Sequence, residues 1–500
     1  MGNSLERNAA KEVHVADVVR HGDKLIVPEQ MKYAQAIDLL HRRMKFEEET
    51  VELNETFDAF PWDGAHALEA VLVRKFGWAP SETKPGGFFQ PPQPPQLISI
   101  EVDAGVYKQI AWGQFSLPTV DGIIDCTTGH KDGGIRFALE ATVKRKDEET
   151  IKAIFAEVRA ELKANSIYRG KAIKLRFRDD NGKALAMPEP KFIDTTVINP
   201  AHLIYSREIE TAIQTNLFTP IERVADCVAN GIPVKRGVML GGVYGTGKTM
   251  AARVASKLAV ANGLTFVAIM RADELDDAIN FAKLYSDPAT VLFCEDIDRA
   301  LKGERSVRID DILNTIDGID SKSQNLITVL TSNHVDNINP AMLRPGRLDA
   351  IIEVTPPDEE AVERLIRLYG GDSIDPATDV SDAARELASV QTIPAVIAEV
   401  VKRAKLTQLT YQERGTLVTQ LSSEALKAAA YTMRTQNELL ARASAPKQPK
   451  PVLETVLTDL VRNATHGSVE DGSKGQTLKA TVTLANGLGG EINGAVGAPN

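Results

Sequence analysis

The sequence predicts an α/β fold: a core of parallel strands alternating with helices, followed by a helical lid domain and preceded by a helical segment and a small α+β domain. Three observations carry this. Between Gly237 and Val354, short runs recur that are apolar at nearly every position, as strands covered by helices on both faces should be. The first of them leads straight into a glycine-rich loop and then a helical pattern. After Pro357, four helical patterns succeed one another with no strand between them.

Taken in chain order, residues 29–57 carry a helical pattern in which Tyr33, Ile37, Leu40 and Met44 share a stripe expected to pack into a core, with an acidic stretch from Glu47 to Glu52. Asp63 is placed to cap a second helix from Gly64 to about Phe76, and Gly77 to stop it. Six prolines between Pro80 and Gln96 read as a semi-rigid linker, which divides an N-terminal helical domain (1–79) from a second domain. That second domain is a small α+β unit (97–198), with strands expected at 97–102, 107–115, 122–127 and 135–146, a helix over 148–163 and a strand at 173–177. Its stretch 131–178 holds 13 Lys or Arg against 7 Asp or Glu, either a solvated face or a surface for an acidic partner or nucleic acid.

The large α/β domain (199–356) has strands expected at 237–240, 265–269, 291–294, 326–331 and 351–354. The helical lid (357–440) has helices expected at 359–369, 379–387, 394–405 and 421–439. Beyond it, residues 441–500 turn to Pro, Lys, Ser and Gly and read as a flexible tail, with a helix expected at 452–461 and strand pairing at 477–484.

Composition narrows the function classes. A formal net charge of -10 gives no global pull toward DNA or an anionic membrane. Cys126, Cys227 and Cys294 are far apart and lack a His/Cys cluster, which fits core thiols in a reducing compartment and not a structural zinc site. No apolar leader core and no run of 18 apolar residues occurs, so a cytoplasmic location is expected. No H-E-x-x-H motif occurs, so any proteolysis would belong to a partner.

The chemistry is concentrated in four segments. Gly242-Val243-Tyr244-Gly245-Thr246-Gly247-Lys248-Thr249 fits G-x-x-x-x-G-K-T between a strand and the helix beginning near Met250, the signature of a P-loop NTPase core. Glycines let the backbone N–H groups turn inward on the α and β phosphates of ATP; Lys248 is expected to reach the β/γ oxygens and the Thr249 hydroxyl to ligate Mg2+. Glu295 and Asp296, at the end of an apolar strand, supply a metal-side carboxylate and a base for water. Asn333, after another strand, can bind the γ-phosphate or hold the attacking water, or serve only as a turn residue. Arg344 and Arg347, in a rigid Leu-Arg-Pro-Gly-Arg segment, can compensate transition-state charge from the edge of a subunit, or form structural ion pairs.

In this order and spacing, the four segments resemble the AAA subfamily of the AAA+ superfamily over about residues 200–440. The resemblance implies a homo-oligomeric ring, usually a hexamer, with ATP and Mg2+ at subunit boundaries and arginine fingers acting in trans. It implies a macromolecular client, a protein more readily than a nucleic acid. Three features depart from the family pattern. The strand-end acids are inverted, Glu then Asp, as in the mitochondrial translocase of this subfamily that handles the Rieske protein. That inversion gives Glu295 the metal side and Asp296 the water side. No aromatic-aliphatic-glycine triplet comes after Asp273-Glu274-Leu275, and Phe281 and Tyr285 read as helix core contacts. Lys302, Arg305 and Arg308 form either a basic inner loop or a solvated one. In the lid, Thr392-Ile393-Pro394-Ala395 stands where the family has Gly-Ala, with Thr392 or an adjacent backbone group a candidate cap for a helix opened by Pro394. The leading expectation is an ATP-driven remodelling machine. The alternatives are a nucleotide-dependent scaffold with weak turnover and a nucleic-acid translocase or loader.

Overall fold

The computed structural model describes residues 19–21, 24–27, 31–77, 96–297, 325–334, 348–410, 418, 420–444, 480–483 and 489–492. The chain forms two compact units, residues 1–434 and 435–500.

The first unit opens with an antiparallel pair, β1 (Val19–His21) and β2 (Lys24–Ile26), followed by helix α1 (Tyr33–Glu47). The helix expected over 29–57 stops there, and Thr50–Phe57 is strand β3. The reason is local: Val51, Leu53, Glu55 and Phe57 alternate with exposed residues at a period of two, and the stretch opens on β-branched Thr50 and Val51. The stripe expected to be core does not pack as one, since Tyr33 is 68% and Met44 58% exposed and only Ala36 of α1 is buried. Helix α2 (Pro61–Phe76) begins three residues earlier than expected: Phe60 is the N-cap and Pro61 takes the first turn, where its missing N–H costs nothing. Asp63 therefore lies inside the first turn and its carboxylate serves elsewhere. Gly77 ends α2 in the left-handed region at φ 80°, its N–H donating to Val73 O.

Strands β4 (Gln96–Asp103), β5 (Val106–Phe115), β6 (Gly122–Lys131) and β7 (Gly134–Lys144) form an antiparallel sheet with β3, in the order β3-β7-β6-β5-β4. Helices α2 and α3 (Glu148–Asn165) pack against it over Phe57, Phe137, Leu139, Ile154 and Val158. The β3–β7 register runs unbroken from Thr50↔Lys144 to Phe57↔Phe137. The sheet thus joins the two sides of the proline-rich stretch that by composition should separate domains. The pairing is non-local, so the linker composition at 80–96 carries no trace of it.

The second sheet has the order β14-β10-β13-β12-β11-β8-β9. Its members are β8 (Ala172–Lys174), β9 (Lys191–Phe192), β10 (Arg236–Gly241), β11 (Thr265–Ile269), β12 (Thr290–Cys294), β13 (Leu326–Ser332) and β14 (Ala350–Glu353). All neighbours are parallel except β8 and β9. Every residue of β11, β12 and β13 is buried, which explains why they read as continuous apolar runs. Strands β8 and β9, from the segment expected to close the small α+β domain, instead extend this sheet beyond β11. Helices α4 (Arg207–Ile213), α5 (Thr219–Glu222), α6 (Val224–Ala229), α7 (Lys248–Ala261) and α8 (Leu275–Lys283) complete the layer.

The lid consists of α9 (Glu359–Gly370), α10 (Ser381–Ser389), α11 (Pro394–Thr410) and α12 (Ser423–Ser444), with its own core of Leu365, Ile366, Leu387, Ile397, Val400 and Leu426. Asp358 caps α9 by accepting from Ala361 N at 2.8 Å. Pro394 opens α11 as expected, but the buried Thr392 hydroxyl has no partner and is not its cap. In the second unit, β15 (Ala480–Thr483) pairs antiparallel with β16 (Gly489–Ile492), and the helix expected at 452–461 lies outside the described residues.

Candidate nucleotide site

The sheet order places β10 between β13 and β14, so the loop leaving β10 sits beside the C-terminal ends of its parallel neighbours, where α/β sheets bind ligands. The loop's glycines are required there. Gly242 has φ 146°, and a Cβ on it would lie 2.3 Å from Val354 O; Gly245 and Gly247 have φ 78° and 105°. Gly247 is the N-cap of α7 and no side chain caps it, so the helix presents its positive end and first N–H groups to the loop. Lys248 is 6% exposed and donates from Nζ to Gly242 O at 2.6 Å and Val243 O at 2.8 Å. Thr246 Oγ1 donates to Val243 O at 3.0 Å, while Val243 and Tyr244 point to solvent and Met250 is half-buried beside the loop.

Two polar pairs meet this loop. Thr249 Oγ1 donates to Glu295 Oε1 at 2.6 Å, and Asn333 Nδ2 donates to Asp296 Oδ1 at 2.7 Å. Consecutive residues on an extended chain face opposite ways, but here β12 has ended at Cys294 and Asp296 adopts φ 49°, a conformation that Asp tolerates. Its N–H is held by Thr331 Oγ1 at 3.0 Å. The turn sends one carboxylate to α7 and the other to the end of β13. Glu295 and Asp296 therefore have different neighbours despite being adjacent in sequence.

Oxygen donors from a hydroxyl and a carboxylate are the hard-ligand set that Mg2+ prefers, and Thr249 with Glu295 fits that ion. Among the described residues, no cluster of three or more His, Cys, Asp or Glu could hold a metal ion. Cys294 lies next to the acids, but burial, followed by the charges of Glu274, Asp273, Glu295 and Asp296, drives its thiol well above the ordinary range. The thiolate form is thereby disfavoured.

Sequence reasoning missed the wall beside the loop. A cavity of about 440 Å³ lies against Thr246, Gly247 and Met250 and is lined on its other sides by Ile204 and Tyr205 before α4 and by Leu365 and Tyr369 of α9. No linear pattern marks these residues, because they come from three segments that only folding joins. The lid also reaches the loop through Ile393, whose Cδ1 lies 2.8 Å from where a Cβ on Gly245 would be.

Arg344 and Arg347 lie outside the described residues, as do Lys302, Arg305 and Arg308. The basic stretch 131–178 meets acidic residues of the same chain: Lys131 with Asp58, Lys144 with Glu48, Arg145 with Glu49, Arg159 with Glu55, and Lys171 with Asp103. Phe281 and Tyr285 are buried in a ring cluster with Phe60 and Tyr168, as expected of core contacts. All three cysteines are buried and free. Among the described residues, no helix is long and apolar enough to cross a membrane.

Residues 238–356 match the family described as "ATPase family associated with various cellular activities (AAA)". The chain is 31% identical over 216 residues to the ATP-dependent zinc metalloprotease FtsH of Rhodococcus erythropolis, covering 39% of this chain and 24% of that protein. It is 32% identical over 170 residues to the probable mitochondrial chaperone bcs1 of Schizosaccharomyces pombe, covering 30% of this chain and 35% of that protein. With the 26S proteasome regulatory subunit S10B homolog B of Arabidopsis thaliana, identity is 27% over 214 residues, covering 36% and 51%. The chain thus spans about a quarter to a half of the length of these relatives. The loop, both acids and Asn333 all fall inside the matched stretch, so it is residues 238–356 that are similar to the AAA ATPase family.

Proposed function

We propose that the chain hydrolyses ATP and uses the energy to remodel a protein client as a homo-oligomeric ring, with six subunits as the expected number. The observation that carries this reading is the pair of contacts around the loop, Thr249 to Glu295 and Asn333 to Asp296. In this reading the N–H groups of the loop and of the α7 N-terminus cradle the phosphates, and Lys248 adds charge at the β and γ positions. Thr249 and Glu295 would hold Mg2+, which when bound would supply charge neutralisation at the phosphates. Asp296, oriented by Asn333, takes the proton of the attacking water. The inverted acids thus keep both roles, with the base one methylene shorter than the family's glutamate. Arg344 and Arg347 act on the γ-phosphate of a neighbouring subunit, as the resemblance implies.

A protein client is favoured by what the relatives' names describe, among them a probable mitochondrial chaperone and a proteasome regulatory subunit. The nucleic-acid reading loses its main support, because the basic stretch spends its charge on Glu48, Glu49, Glu55 and Asp58.

The test is steady-state ATPase turnover of the full chain. Asp296→Asn keeps the size of the side chain and removes the base, and is expected to lower kcat by about 100-fold or more with nucleotide affinity retained. The Asn protein in saturating ATP is expected to form a ring, visible by electron microscopy. Undiminished kcat rejects the assigned base, and a uniform monomer population rejects the ring.

A further inference from the structure

Tyr205 joins the lid to the phosphate loop at both of its ends. Its backbone N–H donates to Glu210 Oε1 at 3.3 Å, and its carbonyl accepts from an Nη of Arg364 on α9. Arg364 also binds Glu210 at 2.7 Å, so the backbone of residue 205 is held by an ion pair between α4 and α9. At the other end, the phenol hydroxyl donates to Gly247 O at 2.7 Å. The ring is 3% exposed and lies 3.2 Å from where a Cβ on Gly247 would sit. Burial holds the phenol neutral, so the hydroxyl keeps its proton to donate.

The carbonyl of Gly247 and the N–H of Lys248 belong to one planar peptide group and point in opposite directions. Fixing the carbonyl therefore fixes the N–H that opens α7. Ala251 N also donates to Gly247 O at 3.0 Å as part of the helix ladder, so the Tyr205 hydroxyl is a second donor, not needed to satisfy that oxygen. Its effect is orientation of the peptide and polarisation of the N–H beyond it.

We infer that Tyr205 is a positioning residue that couples the lid helix α9, through Arg364, to the Gly247–Lys248 peptide, so that lid placement sets the phosphate affinity of the loop. This coupling rests on the proposed nucleotide site, and it joins three segments that sequence spacing does not mark.

The test measures Kd for N-methylanthraniloyl-ADP with the full chain, Tyr205→Phe, Arg364→Gln and the double variant, alongside a thermal melt of each. Tyr205→Phe keeps the ring and its packing, and is expected to raise Kd about fivefold to tenfold, the worth of one net hydrogen bond. Arg364→Gln, at the half-buried end, is expected to act in the same direction without touching the cavity wall. If the two form one path, the double variant binds no more weakly than the weaker single variant. Unchanged Kd in Tyr205→Phe, or single effects that multiply in the double variant, overturns the inference while leaving the nucleotide site standing. Failure of the unsubstituted chain to bind the probe overturns both. Should Tyr205→Phe not fold, Arg364→Gln carries the decision alone: wild-type affinity there rejects the coupling.

Discussion

Asp63 is a carboxylate 1% exposed at the seam between the antiparallel sheet and the mostly parallel sheet. It accepts from Ser166 Oγ at 2.7 Å, Ile167 N at 2.9 Å and Tyr285 Oη at 3.1 Å, while Tyr285 Oη itself accepts from Phe60 N at 3.1 Å. Burial raises its pKa from the ordinary 3.8 to about 6, against the opposing pull of those hydrogen bonds and of Arg169. The native chain therefore keeps a proton there that the unfolded chain releases. Stability from this group is complete below pH 3.8, falls as pH climbs from 3.8 to about 6, and is level above that. At about 1.4 kcal/mol for each pH unit, the loss across the window is about 3 kcal/mol. Asp63→Asn mimics the protonated form: its carbonyl keeps the Ile167 N–H, and its amide donates to Ser166 Oγ or Tyr285 Oη. The unfolding free energy of the variant relative to the unsubstituted chain should therefore rise by about 2.4 kcal/mol between pH 4 and pH 7. Urea unfolding followed by tryptophan fluorescence reads this region directly, since the three tryptophans, Trp62, Trp78 and Trp112, all lie in the first 112 residues, and Trp62 stacks edge-on against Trp112 at 5.1 Å. A difference that stays flat over that pH range would refute the reasoning.

Two glycine substitutions test close approaches that the fold demands. Gly242→Ala drives a Cβ to 2.3 Å from Val354 O, on a strand end fixed by the Val354 N to Gly241 O bond of 2.6 Å. Nucleotide affinity should fall at least about tenfold in a fluorescent-ADP titration, and wild-type affinity would show that the loop is free to move. Gly64→Ala places a Cβ 2.0 Å from Phe137 Cγ in a fully buried ring, so α2 must lift from β7 at a cost of about 3 kcal/mol, read as a lower urea midpoint; an unchanged midpoint would mean that the packing yields.

The parts legible without tertiary structure are those set by neighbours in sequence. The strands β10 to β13 are legible because their residues are nearly all buried and so mostly apolar, and the loop at 242–249 because its backbone must curl within eight residues. Pairings between distant segments leave no such mark. Thr50–Phe57 reads as helix because its alternation comes directly after a genuine helical stripe, and its true partner lies some 80 residues on, in Gly134–Lys144. Lys131, Arg145 and Arg159 resemble a surface for an anion because their acidic partners sit before residue 60.

Sequence alone determined the α/β class and the glycine-rich loop at 242–249 between a strand and a helix, because backbone conformation and strand burial leave local marks. Only the tertiary structure decided that the antiparallel sheet crosses the proline-rich stretch, that β8 and β9 extend the parallel sheet, and that Tyr205 bridges lid and loop. Those contacts join groups far apart along the chain, and their energy depends on partners that no local window contains.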